Sequence, residues 1–367
     1  MEIEAVPCQG NSEIKFFQMK IFREIRRFIT SVKSVLKWNV HCKKQLEHNE
    51  SLILATVKTP YKKFFVDIGN CVGPSDRIWT LSMNTELDHE QHTPIVLLHG
   101  YVSSLAFWML NFDSFATDRP VYAVDLLGFG RSSRPNFSND PIEIEEQYVM
   151  FLEKWREIMK LEKMILLGHS FGGWIASLYA LRYPERVQHL ILADPWGYHA
   201  STIHTHSIVR RMFLRIFAKI PPFSLVRAAG PFASSLLRTT RKDIVGKFES
   251  IMHERHKNAI SEYIYHCNSV KITGERAFHS LLHNGPWPKR PLVEVMKSLH
   301  VDVPITFVYG KKSWLDYTSG YVIKESRPNS YTQIEIIENA GHKVFSDDEV
   351  EFNRLVKEAC KTLKSSN

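Results

Sequence analysis

Short apolar runs alternate with helix-like periodic segments from about residue 60 to the end of the chain. Each run spans four to seven residues, which is typical of a buried strand. Strands that alternate with helices predict a mostly parallel, doubly wound sheet, and hence an α/β fold. The predicted strands cover 64–67, 77–83, 94–99, 121–125, 163–168, 187–193, 303–309 and 331–337, the first two as a hairpin. The predicted helices cover 143–160, 171–183 and 347–364.

The interval 197–300 departs from this alternation. It is helical, apolar and basic in pattern and has no obvious buried strand, so we expect a helical cap inserted between the sixth and seventh core strands. The α/β core is then expected in 51–196 and 301–367. The first part of the cap alternates apolar residues with the basic residues Arg210, Arg211, Arg215, Lys219 and Arg227. This pattern suits either a lipid-facing cap or an ordinary lid whose arginines face water.

Residues 1–50 form an N-terminal segment with a basic region of its own. Residues 15–38 hold seven Lys/Arg and one Glu, without Gly or Pro. Their apolar and basic side chains fall on opposite faces of an ideal helix, which predicts a basic amphipathic helix. Such a helix either lies flat on an anionic membrane or packs on the main domain with a solvated basic face. The residues expected to contact a membrane are Phe17, Arg23, Arg26, Arg27, Phe28 and Lys33.

Composition limits the cellular locations and the metal or cofactor chemistry that we expect for this protein. The chain has 367 residues, is 44% hydrophobic and carries a formal net charge of +8. No window approaches the ~18 uninterrupted apolar residues of a membrane span, and the first residues lack the pattern of a secretion signal. The five cysteines are scattered without a Cys-x-x-Cys pair, so we expect free thiols and no metal site. We therefore expect a cytoplasmic protein with no cofactor and no nucleic-acid partner.

Most of the chemical information lies in the segment GHSFG, residues 168–172. It joins a predicted strand to a predicted helix. A Gly-x-Ser-x-Gly turn in that context is a nucleophile elbow, in which a tight, strained turn holds the serine hydroxyl at the edge of the sheet. Side chains at Gly168 or Gly172 would collide with the neighbouring strand or helix. Ser170 is therefore the candidate nucleophile.

The serine needs a base within hydrogen-bond reach, and the base needs a carboxylate to orient it. In this fold the chain order is Ser, then Asp or Glu, then His. His342 follows the last predicted strand and Asp316 follows the strand before it, so both are expected beside Ser170 at the carboxyl ends of strands. Asp194, at the end of strand 187–193, is the rival acid. Its other role would be to anchor the start of the cap.

Two backbone amides are candidates for the oxyanion hole that acyl transfer requires. One is the N–H of Phe171, directly after the nucleophile. The other is the N–H of Tyr101, in the loop His99-Gly100-Tyr101 after strand 94–99.

His342 also opens a His-x-x-x-x-Asp motif that ends at Asp347. That spacing occurs in membrane acyltransferases, where the histidine deprotonates an acceptor hydroxyl. The alternative places Asp347 at the N-cap or in the first turn of the last helix.

The longer segments around these motifs resemble one branch of the α/β-hydrolase proteins. This branch contains the lysophospholipase/N-acyl-phospholipid hydrolases and the lipid-droplet coactivator of adipose triglyceride lipase. The matching segments, from about residue 60 onwards, are LLHG, DLLGFGRSSRP, GHSFGG, ADPWGY, VYGKKSWLD and NAGHKVFSD. The resemblance implies a Ser170–Asp316–His342 triad and an acyl-lipid substrate such as a phospholipid or lysophospholipid. It also implies a peripheral protein on lipid droplets or the endoplasmic reticulum.

The resemblance leaves a choice between catalysis and regulation. In the coactivator, asparagine replaces the elbow serine, whereas this chain keeps Ser170. Lys312 and Gly341 stand where the coactivator carries residues tied to lipase activation, so a triglyceride lipase is a possible partner. The loop HGYVSS, residues 99–104, departs from the run of glycines in the relatives, which puts the acyl pocket and the oxyanion donor in doubt. We expect a serine lipid hydrolase, with a lipase coactivator or a lysophosphatidic acid acyltransferase as alternatives.

Overall fold

The computed structural model describes residues 42–199, 223–229, 232–240, 242–283 and 285–361. The amphipathic helix predicted over 15–38, with its six membrane-contacting residues, lies outside this part of the chain. The basic residues of the cap that precede residue 223 lie outside it as well. Within the described ranges, no helix is both long and apolar enough to cross a bilayer.

The strands bear out the predicted α/β class. They are β1 (Lys62–Gly69), β2 (Asp76–Met83), β3 (Ile95–Leu98), β4 (Val121–Val124), β5 (Met164–His169), β6 (Val187–Ala193), β7 (Leu282–His283), β8 (Trp287–Pro288), β9 (Ile305–Gly310) and β10 (Thr332–Ile337). Eight of them form one sheet in the order β1-β2-β4-β3-β5-β6-β9-β10. The pairs β1–β2 and β2–β4 are antiparallel and every other pair in this sheet is parallel.

The central strands bury both of their faces, as strands of a parallel sheet covered by helices must. All four residues of β3 and of β4, and all six of β5, are buried. Successive side chains of a strand point to opposite faces of the sheet. Accordingly, Ile95 and Leu97 belong to one apolar cluster, whereas Val96 and Leu98 belong to the other. These two clusters hold the sheet between its helical layers.

Helices flank the sheet on both faces. Those of the core are 42–54, Phe112–Phe115, Pro141–Ile158, Phe171–Arg182, Thr318–Ser326, Val344–Asp347 and Glu349–Lys361. The helix Pro141–Ile158 shows how local sequence sets a boundary. Asp140 is its N-cap and accepts hydrogen bonds from the N–H groups of Ile142 and Glu143, while Pro141 fills the first turn, where no N–H is needed.

The sequence analysis did not predict the helix 42–54. Cys42, Leu46 and Leu54 of this helix are buried in the core. Glu50 is also buried, and its carboxylate contacts Arg131 at 3.1 Å and the indole N–H of Trp79 at 3.1 Å. The polar composition of the segment reflects the outer face of the helix and this buried ion pair.

The segment between β6 and β9 lies over the carboxyl ends of the strands as a helical cap. Its described helices are Ser224–Ala228, Ala233–Thr240, Lys242–Glu249, Ala259–Ser269, Thr273–Ser280 and Leu292–Val295. The cap also contains a small antiparallel hairpin, β7–β8, that the sequence analysis did not predict. Hydrogen bonds fix the cap to the core, as between Tyr263 and Ser104 at 2.5 Å and from the Trp196 indole N–H to the Pro286 carbonyl at 2.6 Å.

Candidate active site

The elbow predicted at 168–172 is a tight turn between β5 and the helix Phe171–Arg182. Ser170 has a φ of 52° and a ψ of −115°, which is a strained conformation for a residue with a side chain. The turn requires glycine on both sides. A Cβ on Gly168 would lie 2.3 Å from the Gly172 carbonyl oxygen, and one on Gly172 would lie 2.3 Å from the Leu98 carbonyl oxygen. The hydroxyl of Ser170 is thereby held at the carboxyl edge of the sheet.

His342 meets Ser170, as the sequence predicts. Its Nε2 lies 3.0 Å from the Ser170 Oγ, although 172 residues separate the two along the chain. The turn that carries His342 follows β10. It is fixed by a hydrogen bond from the Gly341 N–H to the Asp347 carboxylate at 2.8 Å.

The carboxylate that contacts His342 is Asp194, the rival acid of the sequence analysis. Its Oδ2 lies 2.5 Å from the His342 Nδ1. Asp194 is fully buried, and it also accepts hydrogen bonds from the Ser313 hydroxyl at 2.5 Å and from the Gly310 N–H at 3.3 Å. Its φ of 43° is the second strained backbone angle of the site. Because Nδ1–H donates to this carboxylate, Nε2 presents its lone pair to Ser170.

The placement of Asp316 in the triad is wrong in this structure. The Asp316 side chain is 56% exposed. One of its oxygens accepts the N–H of Thr318 at 2.9 Å at the start of the helix Thr318–Ser326, and the other lies 3.3 Å from the His199 Nε2. The loop after β9 therefore carries Asp316 outward. Ser313 of this loop reaches the site through its bond to Asp194, and the neighbouring Trp314 lines the cavity beside His342.

The structure also separates Asp347 from the imidazole. Both ring nitrogens of His342 are engaged, by Ser170 and by Asp194, so the second half of the His-x-x-x-x-Asp motif has no ring atom to bind. Asp347 ends the short helix Val344–Asp347 and holds the Gly341 N–H instead. Burial raises the pKa of Asp347. Asp347 is not the N-cap of the last helix, because the Glu351 N–H there bonds to Asp348 at 3.2 Å, but it does lie in the first turn of the short helix Val344–Asp347.

The two residues predicted to supply the oxyanion donors both lie near Ser170. Phe171 is the first residue of the helix after the elbow, and Tyr101 lines the cavity that contains Ser170 and His342. Gly100 permits this approach, since a Cβ there would lie 2.7 Å from the His169 Nδ1 and 3.2 Å from the Ser170 Cβ.

The His99 side chain fixes the backbone of the loop that carries Tyr101. Burial lowers the pKa of His99 to about 4, so the ring is neutral near pH 7. Its Nδ1–H donates to the Gly100 carbonyl at 2.8 Å, and its Nε2 accepts the Leu126 N–H at 2.9 Å. A neutral imidazole has one donor and one acceptor, and both are used here.

A second buried histidine was not singled out by the sequence analysis. His169 stands between Gly168 and Ser170, and its Nε2 lies 2.8 Å from the His342 carbonyl oxygen. Burial, followed by the proximity of His342, lowers the pKa of His169 well below its usual value. The neutral ring donates to that carbonyl and so helps to fix the His342 turn. Its place within the elbow was the available sequence signal.

The cavity above these groups has a volume of about 300 Å³. Most of its wall is apolar. The lining residues are Tyr101, Val102, Ser103, Phe107, His169, Ser170, Trp196, Phe223, Ile264, Phe278, Pro286, Trp314, His342, Lys343 and Phe345. An apolar chamber that opens onto a hydrogen-bonded Ser–His–Asp group can hold a hydrocarbon chain beside a nucleophile.

Lys312 and Gly341 lie together at the surface beside this group. The Lys312 N–H bonds to the Ala340 carbonyl at 2.9 Å, and the side chain of Lys312 is exposed. The Lys312 carbonyl oxygen lies 3.9 Å from the position of a Cβ on Gly341. The two residues thus form one small surface patch. Among the described residues, His, Cys, Asp and Glu side chains form no cluster suited to a metal ion.

A parallel sheet, a strand–turn–helix elbow and an inserted cap define the α/β-hydrolase class of proteins. The comparison with family models agrees. The model of the α/β-hydrolase fold matches residues 93–349, which is more than half of the chain, and the protein therefore belongs to the α/β-hydrolase family.

Curated relatives place the chain near lipid-acting members of the family. The 1-acylglycerol-3-phosphate O-acyltransferase ABHD5 of Mus musculus is 42% identical over 323 residues, which cover 87% of this chain and 90% of that protein. The (lyso)-N-acylphosphatidylethanolamine lipase of Mus musculus is 38% identical over 324 residues, which cover 87% of this chain and 92% of that protein. These similarities confirm the resemblance drawn from the motifs.

Solved structures share the fold at lower identity. A membrane phospholipase A, described as a bacterial virulence factor, superposes with a TM-score of 0.64 at 20% identity and covers 95% of this chain and 100% of its own. Carboxylesterase CesB from Bacillus subtilis superposes with a TM-score of 0.60 at 19% identity and covers 87% and 98%. At these identities the likeness establishes the architecture alone.

Proposed function

We propose that this protein is a serine hydrolase of lipid acyl esters, with Ser170 as nucleophile, His342 as base and Asp194 as the orienting acid. The observation that carries the proposal is the pair of hydrogen bonds from His342, at 3.0 Å to Ser170 and at 2.5 Å to Asp194. A serine is a weak nucleophile unless a base takes its proton, and this arrangement supplies the base.

The geometry supports a two-step acyl transfer. Ser170 Oγ attacks the ester carbonyl carbon while its proton passes to the His342 Nε2, and the oxyanion accepts the N–H groups of Tyr101 and Phe171. The ester C–O bond then breaks, the leaving alcohol takes the proton from His342, and the acyl group stays on Ser170. Water attacks this acyl-serine with His342 again as base. The products are the fatty acid and free Ser170.

The substrate class follows from the cavity and the relatives. The apolar chamber of about 300 Å³ suits an acyl chain rather than a polar acyl group. The relatives bear names that refer to (lyso)-N-acylphosphatidylethanolamine and 1-acylglycerol-3-phosphate. A phospholipid or lysophospholipid ester is therefore the proposed substrate.

The test is covalent labelling of the full chain with a fluorophosphonate probe, together with hydrolysis of lysophospholipid vesicles. S170A should lose both labelling and hydrolysis. The matched control is S103A, because Ser103 lines the same cavity but lies outside the hydrogen-bonded group of Ser170, His342 and Asp194. Equal labelling of S170A and the parent protein would refute the proposal.

Acyl transfer to a lysophospholipid is the second candidate, favoured by the name of the 42% identical relative. In this version the hydroxyl of a 1-acylglycerol-3-phosphate replaces water in the attack on the acyl-serine. Product analysis with a labelled acyl donor separates fatty acid from diacyl product. Transfer that survives S170A but not D347N would instead assign the His-x-x-x-x-Asp mechanism and overturn the serine route.

We further propose that the protein is cytoplasmic and binds peripherally to lipid droplets or the endoplasmic reticulum through residues 15–38. Attraction of basic residues to anionic lipid weakens with salt, whereas aromatic insertion does not. Flotation of the full chain with anionic and neutral vesicles, with and without 15–38, tests this proposal. Unchanged flotation after the deletion would contradict it.

Coactivation of a triglyceride lipase is compatible with the surface patch formed by the exposed Lys312 and the half-buried Gly341. If the patch binds such a lipase, K312A should lower stimulation of triglyceride hydrolysis while fluorophosphonate labelling of Ser170 stays intact. The matched control is K311A, since Lys311 is the neighbouring exposed lysine. Equal stimulation by K312A and the parent protein would exclude this patch as the lipase-binding site.

A further inference from the structure

The loop that carries Tyr101 is strained at the next residue. Val102 has a φ of 58°, and it is the one β-branched side chain among the described non-glycine residues with positive φ. A β-branched residue in the left-handed region crowds its own backbone. Such conformations persist where the surrounding structure holds them, often at active sites.

Two helices of the cap contact the loop directly. The Asn268 Nδ2 donates to the Val102 carbonyl in a long hydrogen bond of 3.4 Å. The Tyr101 ring stacks on Phe278, with centroids 4.2 Å apart and an interplanar angle of 21°. Burial, followed by the nearby Glu275 carboxylate, raises the pKa of the Tyr101 hydroxyl. The cap thus holds the loop through the Val102 carbonyl and the Tyr101 ring.

An ion pair between the partly buried Arg227 and the buried Glu275 links these cap residues. Arg227 Nη1 lies 2.6 Å from the Glu275 carboxylate and 3.1 Å from the Asn268 carbonyl. Asn268 and Glu275 are both buried, and the Asn268 amide is oriented by a further bond to the Ile264 carbonyl at 2.8 Å. Opposite charges attract each other more strongly where water is largely excluded. The Arg227–Glu275 pair therefore fixes the relative positions of the three cap helices that carry Arg227, Asn268 and Glu275.

We propose that Asn268 and Glu275 are positioning residues that hold the Tyr101–Val102 loop in its strained conformation and so aim the Tyr101 N–H at the oxyanion. The inference rests on the proposed function, since it assigns a role to the oxyanion donor of that reaction. It also couples the seating of the cap to the chemistry. When the cap shifts, the strain at Val102 drives the loop away from the geometry that the transition state needs.

The experiment is a double-mutant cycle on the full chain, with ester hydrolysis as readout. Removal of an oxyanion donor costs ~10²–10³ in kcat, so misalignment by N268A or Y101F is expected to lower kcat by about tenfold with KM changed by less than about threefold. In the V102G background the native conformation is unstrained, because glycine accepts positive φ. The same N268A substitution should then lower kcat by less than about threefold.

V102A is the matched control for volume. Alanine removes most of the side chain from the cavity but keeps the Cβ that opposes a positive φ, so N268A should still lower kcat by about tenfold in the V102A background. A second control is N258A, because Asn258 lies in the cap and binds Arg238 on its exposed side. N258A should leave kcat unchanged.

Hydrogen exchange of the loop amides gives a readout that does not depend on turnover. N268A and Y101F are expected to speed exchange at residues 100–103 relative to N258A. If S170A remains active, the proposed function fails, yet this exchange result still supports the clamp. If N268A and Y101F are folded, exchange like the parent and keep kcat within about twofold, the clamp is refuted while the proposed function stands.

Discussion

Asp194 and Asp316 each follow a strand at the same edge of the sheet, and their surroundings are opposite. Asp194, after β6, is fully buried and accepts hydrogen bonds from His342, Ser313 and Gly310. Asp316, after β9, is 56% exposed and accepts the Thr318 N–H beside His199. Both satisfy the chain order of Ser, then Asp, then His. The depth of each loop, rather than its order, decides which acid orients the histidine.

The difference matters because an orienting acid must hold one geometry. A carboxylate in water exchanges its partners, and its charge is screened at an effective dielectric far above that of the interior. A buried carboxylate with several donors keeps its position and its charge.

D194N should give the largest loss. Asparagine keeps the shape but can present an N–H to the His342 Nδ1, which disfavours the tautomer that Ser170 needs. The comparable change in serine proteases lowers kcat by ~10⁴, and we expect a loss of that order in ester hydrolysis. The measurement is steady-state kcat, with circular dichroism to verify folding. Activity within about tenfold of the parent would exclude Asp194 as the orienting acid.

The pH dependence of folding stability provides the next test, at the buried His99. Burial lowers the pKa of His99 to about 4, whereas an unfolded histidine titrates near ~6.5. Below about pH 6.5, His99 binds a proton in the unfolded chain but stays neutral in the folded protein. The free energy of unfolding therefore falls as the pH falls towards 4. From pH 7 to pH 5 the loss attributable to His99 is roughly 2 kcal/mol.

Urea unfolding at the two pH values measures this loss. In H99Q the drop in unfolding free energy between pH 7 and pH 5 should shrink by about that amount. An unchanged drop in H99Q would show that His99 is not held neutral by burial.

Sequence and structure agree where local pattern determines the outcome. The strand positions follow from apolar runs, and Ser170 and His342 follow from motifs whose context fixes them at strand ends. The acid could not be chosen in this way, because Asp194 and Asp316 have equivalent positions after their strands. The choice depends on whether the loop after β9 turns outward, and in the structure this loop is held by the Thr318–Asp316 and Ser313–Asp194 hydrogen bonds.

Other features were missed because their cause is tertiary. The helix 42–54 is polar in sequence, and its place in the core depends on the buried pairing of Glu50 with Arg131 and Trp79. The hairpin β7–β8 consists of two-residue strands, which are too short to produce an alternating pattern. The hydrogen bond from Asn268 of the cap to the Val102 carbonyl joins residues 166 positions apart in the sequence.

S313A tests whether the donors around Asp194 contribute to its role. The hydroxyl of Ser313 shares the Oδ2 atom that His342 also contacts, at 2.5 Å in each case. Its removal leaves Asp194 with two donors, and a bond to a charged group contributes ~1.5–3 kcal/mol. Because Gly310 and His342 still hold the carboxylate, we expect about a tenfold fall in kcat with KM nearly unchanged. A kcat equal to that of the parent would show that Ser313 is dispensable for orientation.

D316N should have the smallest effect, although motif order favours Asp316. Asparagine can still accept the Thr318 N–H, and the contact with His199 is partly exposed, so the unfolding free energy should fall by no more than about 0.5–1 kcal/mol. Ester hydrolysis should stay within about twofold of the parent, since Asp316 does not touch the His342 ring. The measurement is kcat/KM of D316N beside D194N, prepared and assayed together. A loss of more than about 100-fold in D316N, with D194N nearly active, would reverse the assignment and require the loop after β9 to close over His342 during turnover.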